Sequence, residues 1–209
     1  DVNLIEDMSE DVITTNIKTL LTNAVDNELI SDVPVCTILS GGIDSTIITY
    51  LLSKRVPNLQ AFVVSLGETG KKDDLYYARM AAKEIGIPLH EVIIDREFVD
   101  KNLTRTVYAI EDYKWTQVSP AVAQLALSER IQDEGFKVVF GGEGSDELFA
   151  SYGDVFAWHY KDEDYIKKRY KLITDLHKNN LIRTNKAMMY GGTVELRTPF
   201  LDKSFVEFC

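Results

Sequence analysis

The first long segment carries apolar residues at Val12, Ile13, Ile17, Leu20, Leu21, Val25 and Leu29, a spacing that gathers them on one helical face. Ser9 stands ahead of it as an N-cap, with Glu10 and Asp11 in the first turn, where carboxylates meet the positive end of the helix dipole. Asp32 and Pro34 are expected to close this helix. The period then changes. Residues 35–39, 61–66 and 89–94 are short apolar runs of strand length, followed by helical patterns over 45–53, 74–85 and 98–110. A further helix over 121–134 leads into a strand at 137–140. Beyond Tyr152 no strand is evident. The segment KDEDYIKKRYKLITDLHKNNLIRTNKAMMYGG reads as two helices, the first starting near Asp162 or Glu163, the second near Asn179 or Asn180 and ending at Gly191. Strands alternating with helices at this spacing predict an α/β fold: a parallel sheet with helices on both faces, Rossmann-like, and a helical C-terminal portion.

Two of the strands run into glycine loops that carry acids. In SGGIDS, residues 40–45, Gly41 and Gly42 let the backbone fold close to a ligand, and the following helix offers its N-terminal amides to an anion. The loop has neither the lysine of a Walker A motif nor the spacing of a dinucleotide fingerprint. Asp44 is a negative charge in an anion site, which calls for a divalent cation bridging it to phosphate oxygens. Standing alone, Gly-Gly-x-Asp would read as a turn with an aspartate cap. A second loop of the same kind, in VVFGGEGSDELFASY (residues 138–152), changes that reading: Glu143, Asp146 and Glu147 again follow a strand and glycines. Ligands of parallel sheets bind beyond the carboxyl ends of strands, so the loops are expected to face each other, with Asp44 and Asp146 as oxygen ligands of one Mg2+.

SGGIDS resembles the pyrophosphate-binding loop of the ATP pyrophosphatases, and GGEGSDELFASY with VELRTPFLD resembles the synthetase domain of glutamine-hydrolysing asparagine synthetases. RTNKAMMYGG, just ahead of VELRTPFLD, is similar to that family's arginine, asparagine and lysine helix. The resemblance implies the adenine nucleotide alpha-hydrolase-like fold, ATP and Mg2+ as cofactors, and adenylation of the side-chain carboxylate of aspartate, followed by attack of ammonia to give asparagine. By the same resemblance Ser40, Gly41, Gly42, Asp44 and Ser45 would hold the phosphates, and Leu39, Val64 and Gly142 would contact adenosine. Glu143 would lie by the adenylated intermediate as general base and nucleotide contact, Asp146 would bind metal and serve catalysis, and Tyr152 would position reacting groups. Thr116, Lys186 and Arg197 are the implied substrate-binding residues, and Asn185 joins Lys186 as a candidate for substrate or pyrophosphate contact. Glu195, Arg197 and Asp202 suit a buried charged network that holds the ELRTPFLD loop against the nucleotide site. The segment IEDYKWTQVSPAV lies where many asparagine synthetases carry paired threonines and an arginine; here Thr116 and Gln117 stand without that arginine. A β-lactam synthetase-like cyclase and a nucleotide-binding relative without catalysis are the other readings.

Composition narrows the partners. The chain has 209 residues, 45% of them hydrophobic, enough for a sizeable core, and residues 1–209 are expected to form a single synthetase-type domain, with the family's N-terminal glutaminase domain and C-terminal end absent. A formal charge of -10 without a basic stripe argues against nucleic acid. There is no apolar run near 18 residues, so no membrane partner is expected. Two cysteines, Cys36 and Cys209, form no disulfide framework, which suits a cytoplasmic protein. A glutaminase domain or subunit as ammonia source, and a homodimer, are left open by the resemblance.

Overall fold

The computed structural model describes residues 8–67, 73–149, 151, 163–178 and 180–209. Helix α1 (Glu10–Glu28) is capped by Ser9, whose Oγ accepts the Val12 amide at 3.4 Å. There follow β1 (Val35–Ile38), α2 (Ile43–Ser53), β2 (Ala61–Ser65), α3 (Asp74–Ile85), β3 (Leu89–Ile93), α4 (Arg96–Ile110), α5 (Trp115–Asp133) and β4 (Val138–Phe140). Then come α6 (Ser145–Phe149), α7 (Glu163–Asp175), α8 (Asn180–Gly192), β5 (Glu195–Arg197) and α9 (Lys203–Phe208). All strand pairs are parallel and the order is β3-β2-β1-β4-β5.

The strands alternate between two cores, as the period of two requires. Val35, Val138 and Phe140 face α1, α2, α6 and α9, burying Leu21, Val25, Ile48, Leu52, Leu148 and Phe205. Cys36, Phe62, Val139 and Leu196 face the opposite way, against Leu127 and Ile131 of α5 and Met188 of α8. Ala61 and Val63 pack on Leu75, Ala78 and Ala82 of α3. The expected sheet with helices on both faces is therefore present.

Four local expectations are corrected. Helix α1 ends at Glu28, ahead of Asp32 and Pro34, its C-cap Leu29 returning an amide to Asp26 O. Helix α2 starts at Ile43 and not at Ser45, because Gly42 in extended conformation serves as the N-cap. Helix α5 starts at Trp115, six residues earlier than its apolar pattern suggests, and runs through Pro120. A strand does follow Tyr152: β5 pairs with β4 at Val138↔Glu195, Val139↔Leu196 and Phe140↔Arg197. It is a three-residue edge strand with only Leu196 buried, too short to show a period.

The chain fills the sheet from β1 outward through β2 to β3, then crosses back to set β4 on the other side of β1. The order therefore reverses between β1 and β4, and this switch point is where open parallel sheets leave a crevice at their carboxyl edge. The register Val35↔Val138, Cys36↔Val139, Thr37↔Phe140 brings the two strands to the same level, so both glycine loops leave the sheet side by side.

The far edge is tied down by Arg197, which donates to Glu28 O and, at 2.8 Å, to Ile30 O, and to Glu195 Oε1 at 2.8 Å. A guanidinium on the last carbonyls of α1 satisfies groups that the helix itself leaves open. The Glu28 carboxyl lies in the same cluster with Oε2 buried and without a hydrogen-bond partner. Burial pushes its pKa up to about 7, with the Asp202 charge adding to the rise and Arg197 and the Thr198 amide opposing it. The folded protein thus holds this proton more tightly than the unfolded chain, so the stabilisation is complete below the ordinary glutamate pKa and lost as pH rises through about 7. Urea unfolding of Glu28→Gln across this range is expected to match the natural chain at the acid end and to exceed it by about 1–2 kcal/mol above neutrality. Parallel pH profiles would exclude Glu28 as the titrating group.

Candidate functional site

Beyond β1 the loop is closed on itself by hydroxyls. Ser40 N donates to Ser45 Oγ at 3.2 Å, Ser45 Oγ donates to Gly42 O at 3.2 Å, Gly42 N donates to Ser40 Oγ at 3.3 Å, and the two hydroxyls lie 3.0 Å apart. Gly41 has φ +81, and a Cβ there would sit 2.4 Å from the Ala78 amide of α3, so only glycine fits. Helix α2 has no side-chain cap on its first amides, which leaves them available to an anion.

The second loop lies directly on the first. A Cβ on Gly142 would meet Ser45 N at 2.9 Å and Asp44 C at 3.1 Å, which puts the two backbones in contact. Across this contact Ser145 Oγ donates to Asp44 Oδ1 at 2.7 Å. Asp146 is close enough for its charge to raise the pKa of Asp44; burial is the larger cause, and the Ser145 hydrogen bond opposes both. Asp146 itself accepts from Ser151 Oγ. Asp44, Ser45, Gly142 and Asp146 thus come together from segments about a hundred residues apart.

These groups fit a magnesium ion bound with a nucleotide. Two carboxylates that repel each other are relieved by a divalent cation, and hard oxygen donors are what Mg2+ takes. Among the described residues no group of three or more His, Cys, Asp or Glu side chains converges on a metal site.

Glu143 lines a neighbouring cavity of about 170 Å3 together with Asp146, Glu147, Gln124 and Arg183. Its Oε2 is buried and has no hydrogen-bond partner. Burial raises its pKa well above the usual carboxylate range; its own backbone amide and the Arg183 charge oppose the rise, and Glu147 adds to it. Leu39 is fully buried just past the end of β1, with its amide on Phe62 O at 2.9 Å. Val64 lines a cavity of about 340 Å3 with Ser65, Leu66, Gly67 and Ile94, at the carboxyl ends of β2 and β3.

Other implied residues lie elsewhere. Thr116 is exposed in the first turn of α5. Lys186 donates to Glu111 Oε2 and to Ile110 O at 3.4 Å, and lines a separate cavity of about 370 Å3 at the C-terminal end of α4. Asn185 Nδ2 is spent on Leu181 O at 3.1 Å. The Arg197 side chain is on α1, while its carbonyl accepts the Gly141 amide at 2.9 Å. The buried charged network expected of Glu195, Arg197 and Asp202 is only half so: Glu195 is exposed, and Asp202 caps α9 through Ser204 N at 2.9 Å. Tyr152 lies outside the described residues. Ser145 and Gln124 are the site residues that sequence reading missed, while Arg183 is the arginine of the RTNKAMMYGG run and was given no role of its own. Of the two missed, only Ser145, inside the GSDE run, carried a signal there.

An α/β domain with paired glycine loops at its switch point is the frame of an anion- and nucleotide-binding protein. The chain belongs to the asparagine synthase family, whose model, described as "Asparagine synthase", matches residues 16–169 and 157–209. It is 34% identical over 201 residues to asparagine synthetase B [glutamine-hydrolyzing] of Escherichia coli, covering 90% of this chain and 35% of the relative. A putative asparagine synthetase [glutamine-hydrolyzing] 1 of Methanocaldococcus jannaschii is 33% identical over 172 residues, 81% of this chain and 31% of the relative. The chain thus spans about a third of the length of the curated relatives it matches. Among solved structures, the U34-tRNA thiolase NcsA from Methanococcus maripaludis shares the fold with a TM-score of 0.53 at 16% identity, covering 94% of this chain and 63% of that one.

The loop contact makes a stability prediction. Gly142→Ala should lower the unfolding free energy by about 1–3 kcal/mol, since the methyl meets backbone that cannot swing aside. Gly42→Ala, whose added methyl meets only Ser40 Oγ at 3.4 Å, should cost under about 1 kcal/mol. Thermal or urea unfolding of the pair checks the order, and equal losses would contradict the packed-loop geometry.

Proposed function

We propose that residues 1–209 form the synthetase-type domain of an ATP-dependent ligase that makes a carbon–nitrogen bond, turning the side-chain carboxylate of aspartate into the amide of asparagine. The observation that carries this reading is the convergence of Asp44 and Asp146 across the Gly142 contact, in a chain that belongs to the asparagine synthase family.

The uncapped amides of α2 and the loop of residues 40–45 take the phosphates of ATP, and the cavity beside Val64 is of a size and lining suited to adenosine. Asp44 and Asp146 would hold Mg2+, which supplies neutralisation of phosphate charge. The carboxylate oxygen attacks the α-phosphorus, the bond to the bridging oxygen of the β-phosphate breaks, and pyrophosphate leaves. Ammonia then attacks the acyl carbon, AMP leaves with the oxygen it received, and a proton passes from nitrogen to Glu143. A buried carboxylate of raised pKa is a stronger base than an exposed one, which suits Glu143 to this transfer. The rest of catalysis is positioning and charge stabilisation by groups already fixed by the loop's own hydrogen bonds.

No helix among the described residues is long and apolar enough to cross a membrane. Cys36 and Cys209 are free thiols, and burial pushes both pKa values up, which fits a reducing cytosol. The glutamine-hydrolysing names of the relatives support a glutaminase domain or subunit as the source of ammonia.

Asp44→Asn and Asp146→Asn should each lower aspartate-dependent pyrophosphate release by about a hundredfold or more while thermal unfolding stays cooperative, as expected when a preorganised charge-stabilising group is lost. Unchanged rates in both would remove the proposed metal–phosphate site. Glu143→Gln should slow ammonia-dependent AMP release by about 10²–10⁴-fold and leave the KM for ATP nearly unmoved. An equal loss in ATP binding would assign Glu143 to the nucleotide and not to the nitrogen.

A further inference from the structure

Helix α2 is apolar on both sides. Ser45, Ile48, Thr49 and Leu52 are buried, while Ile43, Ile47 and Tyr50, at spacings of four and three, form a second stripe on the outside. These three are 74%, 38% and 50% exposed. In a chain with 27% charged residues, positions 45–53 carry no charge at all. A surface helix is expected to turn charged and polar residues outward, and one that is apolar all round is suited to being covered on both sides.

The stripe does not stand alone. Helix α3 lies beside the start of α2, close enough that a Cβ on Gly41 would meet the Tyr77 backbone at 2.4 Å. Its outer face adds Tyr76, Tyr77 and Met80, all exposed, with the two rings edge to face at 5.3 Å between centroids. Arg79, between them in sequence, reaches toward the edge of the sheet, to Glu91 Oε1 at 2.7 Å. Six side chains of this size, about half exposed, present on the order of 500 Å2 of apolar surface. A standard interface covers about 800 Å2 on each partner, a little over half of it apolar, so one such contact would account for the whole patch.

We propose that two copies of this protein associate about a twofold axis through the outer faces of α2 and α3. A contact of this kind requires a patch that fits itself. Helix α2 meets that requirement: paired antiparallel with a second α2 about Ile47, Ile43 of each copy meets Tyr50 of the other, and Ile47 meets its own counterpart. The charged ends match as well. Lys54, at the C-terminal end, lies over the Tyr50 ring at 4.7 Å from its centroid, and the pairing sets it at the level of Asp44 in the first turn of the other copy. A contact with an unlike protein does not require this internal symmetry, so a second copy is the occupant that the face itself specifies. The pairing is independent of the amide-forming reading.

The test follows the full natural protein by sedimentation equilibrium at micromolar concentrations. The natural protein should run as a dimer. Ile47→Glu combined with Tyr50→Glu should raise the dimer dissociation constant about thirtyfold or more, because like charges then face one another at the centre of the contact. Both side chains are exposed in the single chain, so thermal unfolding of the double variant should stay cooperative. A natural protein that runs as a monomer, or a dimer that the folded double variant leaves unchanged, overturns the proposal.

Ile47→Cys gives a second measurement that needs no loss of association. The axis passes beside position 47, so a short bismaleimide should join two Ile47→Cys copies, while the natural protein, with Cys36 buried and Cys209 partly so, gives the blank. No cross-linked dimer above that blank overturns the pairing of α2 with itself and leaves the face to a different protein.

Discussion

The structure depends on one close approach: the backbone of Gly142 rests on Asp44 and Ser45 with no side chain between. Parallel pairing of β1 with β4 brings the loops level, and the reversal of strand order leaves space above them. Any larger residue at position 142 would force the loops apart and carry Ser145 away from Asp44. With glycine there, the Ser145 hydroxyl can reach across and hold the carboxylate at 2.7 Å. Two acids are thereby kept near each other in a partly buried place, where burial and the Asp146 charge both raise the pKa of Asp44. The loop chemistry is therefore a consequence of backbone packing. A divalent ion and its phosphates are the simplest way to satisfy it.

The rest of the fold keeps this contact rigid. The two layers bury different halves of the same strands, so a shift of β4 against β1 would expose Phe140 and Val138 on one face or Val139 on the other. On the outer side β5 is short, and its last residue, Arg197, ties it to the end of α1. The half-buried Glu28 carboxyl makes this anchor sensitive to pH, while the first glycine loop is closed by the Ser45 hydroxyl on its own backbone.

Where local signals were complete, sequence reading found the elements. Helix α3 begins and ends as its pattern predicts because Asp73 caps Tyr76 N at 3.1 Å and Gly86 takes φ +81 at the other end. The two glycine loops were legible because strand, glycines, acid and helix follow one another without interruption. Helix α5 was found late, since Pro120 hides its start, and Thr116 falls in its first turn. Strand β5 was invisible because a three-residue edge strand buries one side chain. Lys186 and Arg197 could be named from the sequence but not placed: nothing local says that one turns to Glu111 and the other to α1. Gln124 carried no motif, and Arg183 stood in one without a stated role, since both line a cavity made by α5, α6 and α8 together.

Asp44 and Asp146 are half-buried where the two loops meet, and under the proposed reading a charged phosphate chain would reach them without full loss of water. Glu143 lines one cavity with Asp146 and Gln124, and burial makes the charge of its carboxylate costly. A nucleophile of nitrogen must lose a proton only when it attacks, and a base that is strong because it is buried accepts that proton where bulk water does not compete. Two residues separate Glu143 from Asp146, so one short turn carries both carboxylates. Under the proposed reading, the phosphate and the incoming nitrogen would be held by neighbouring residues of a single backbone segment, with their spacing set by the fold before either substrate binds.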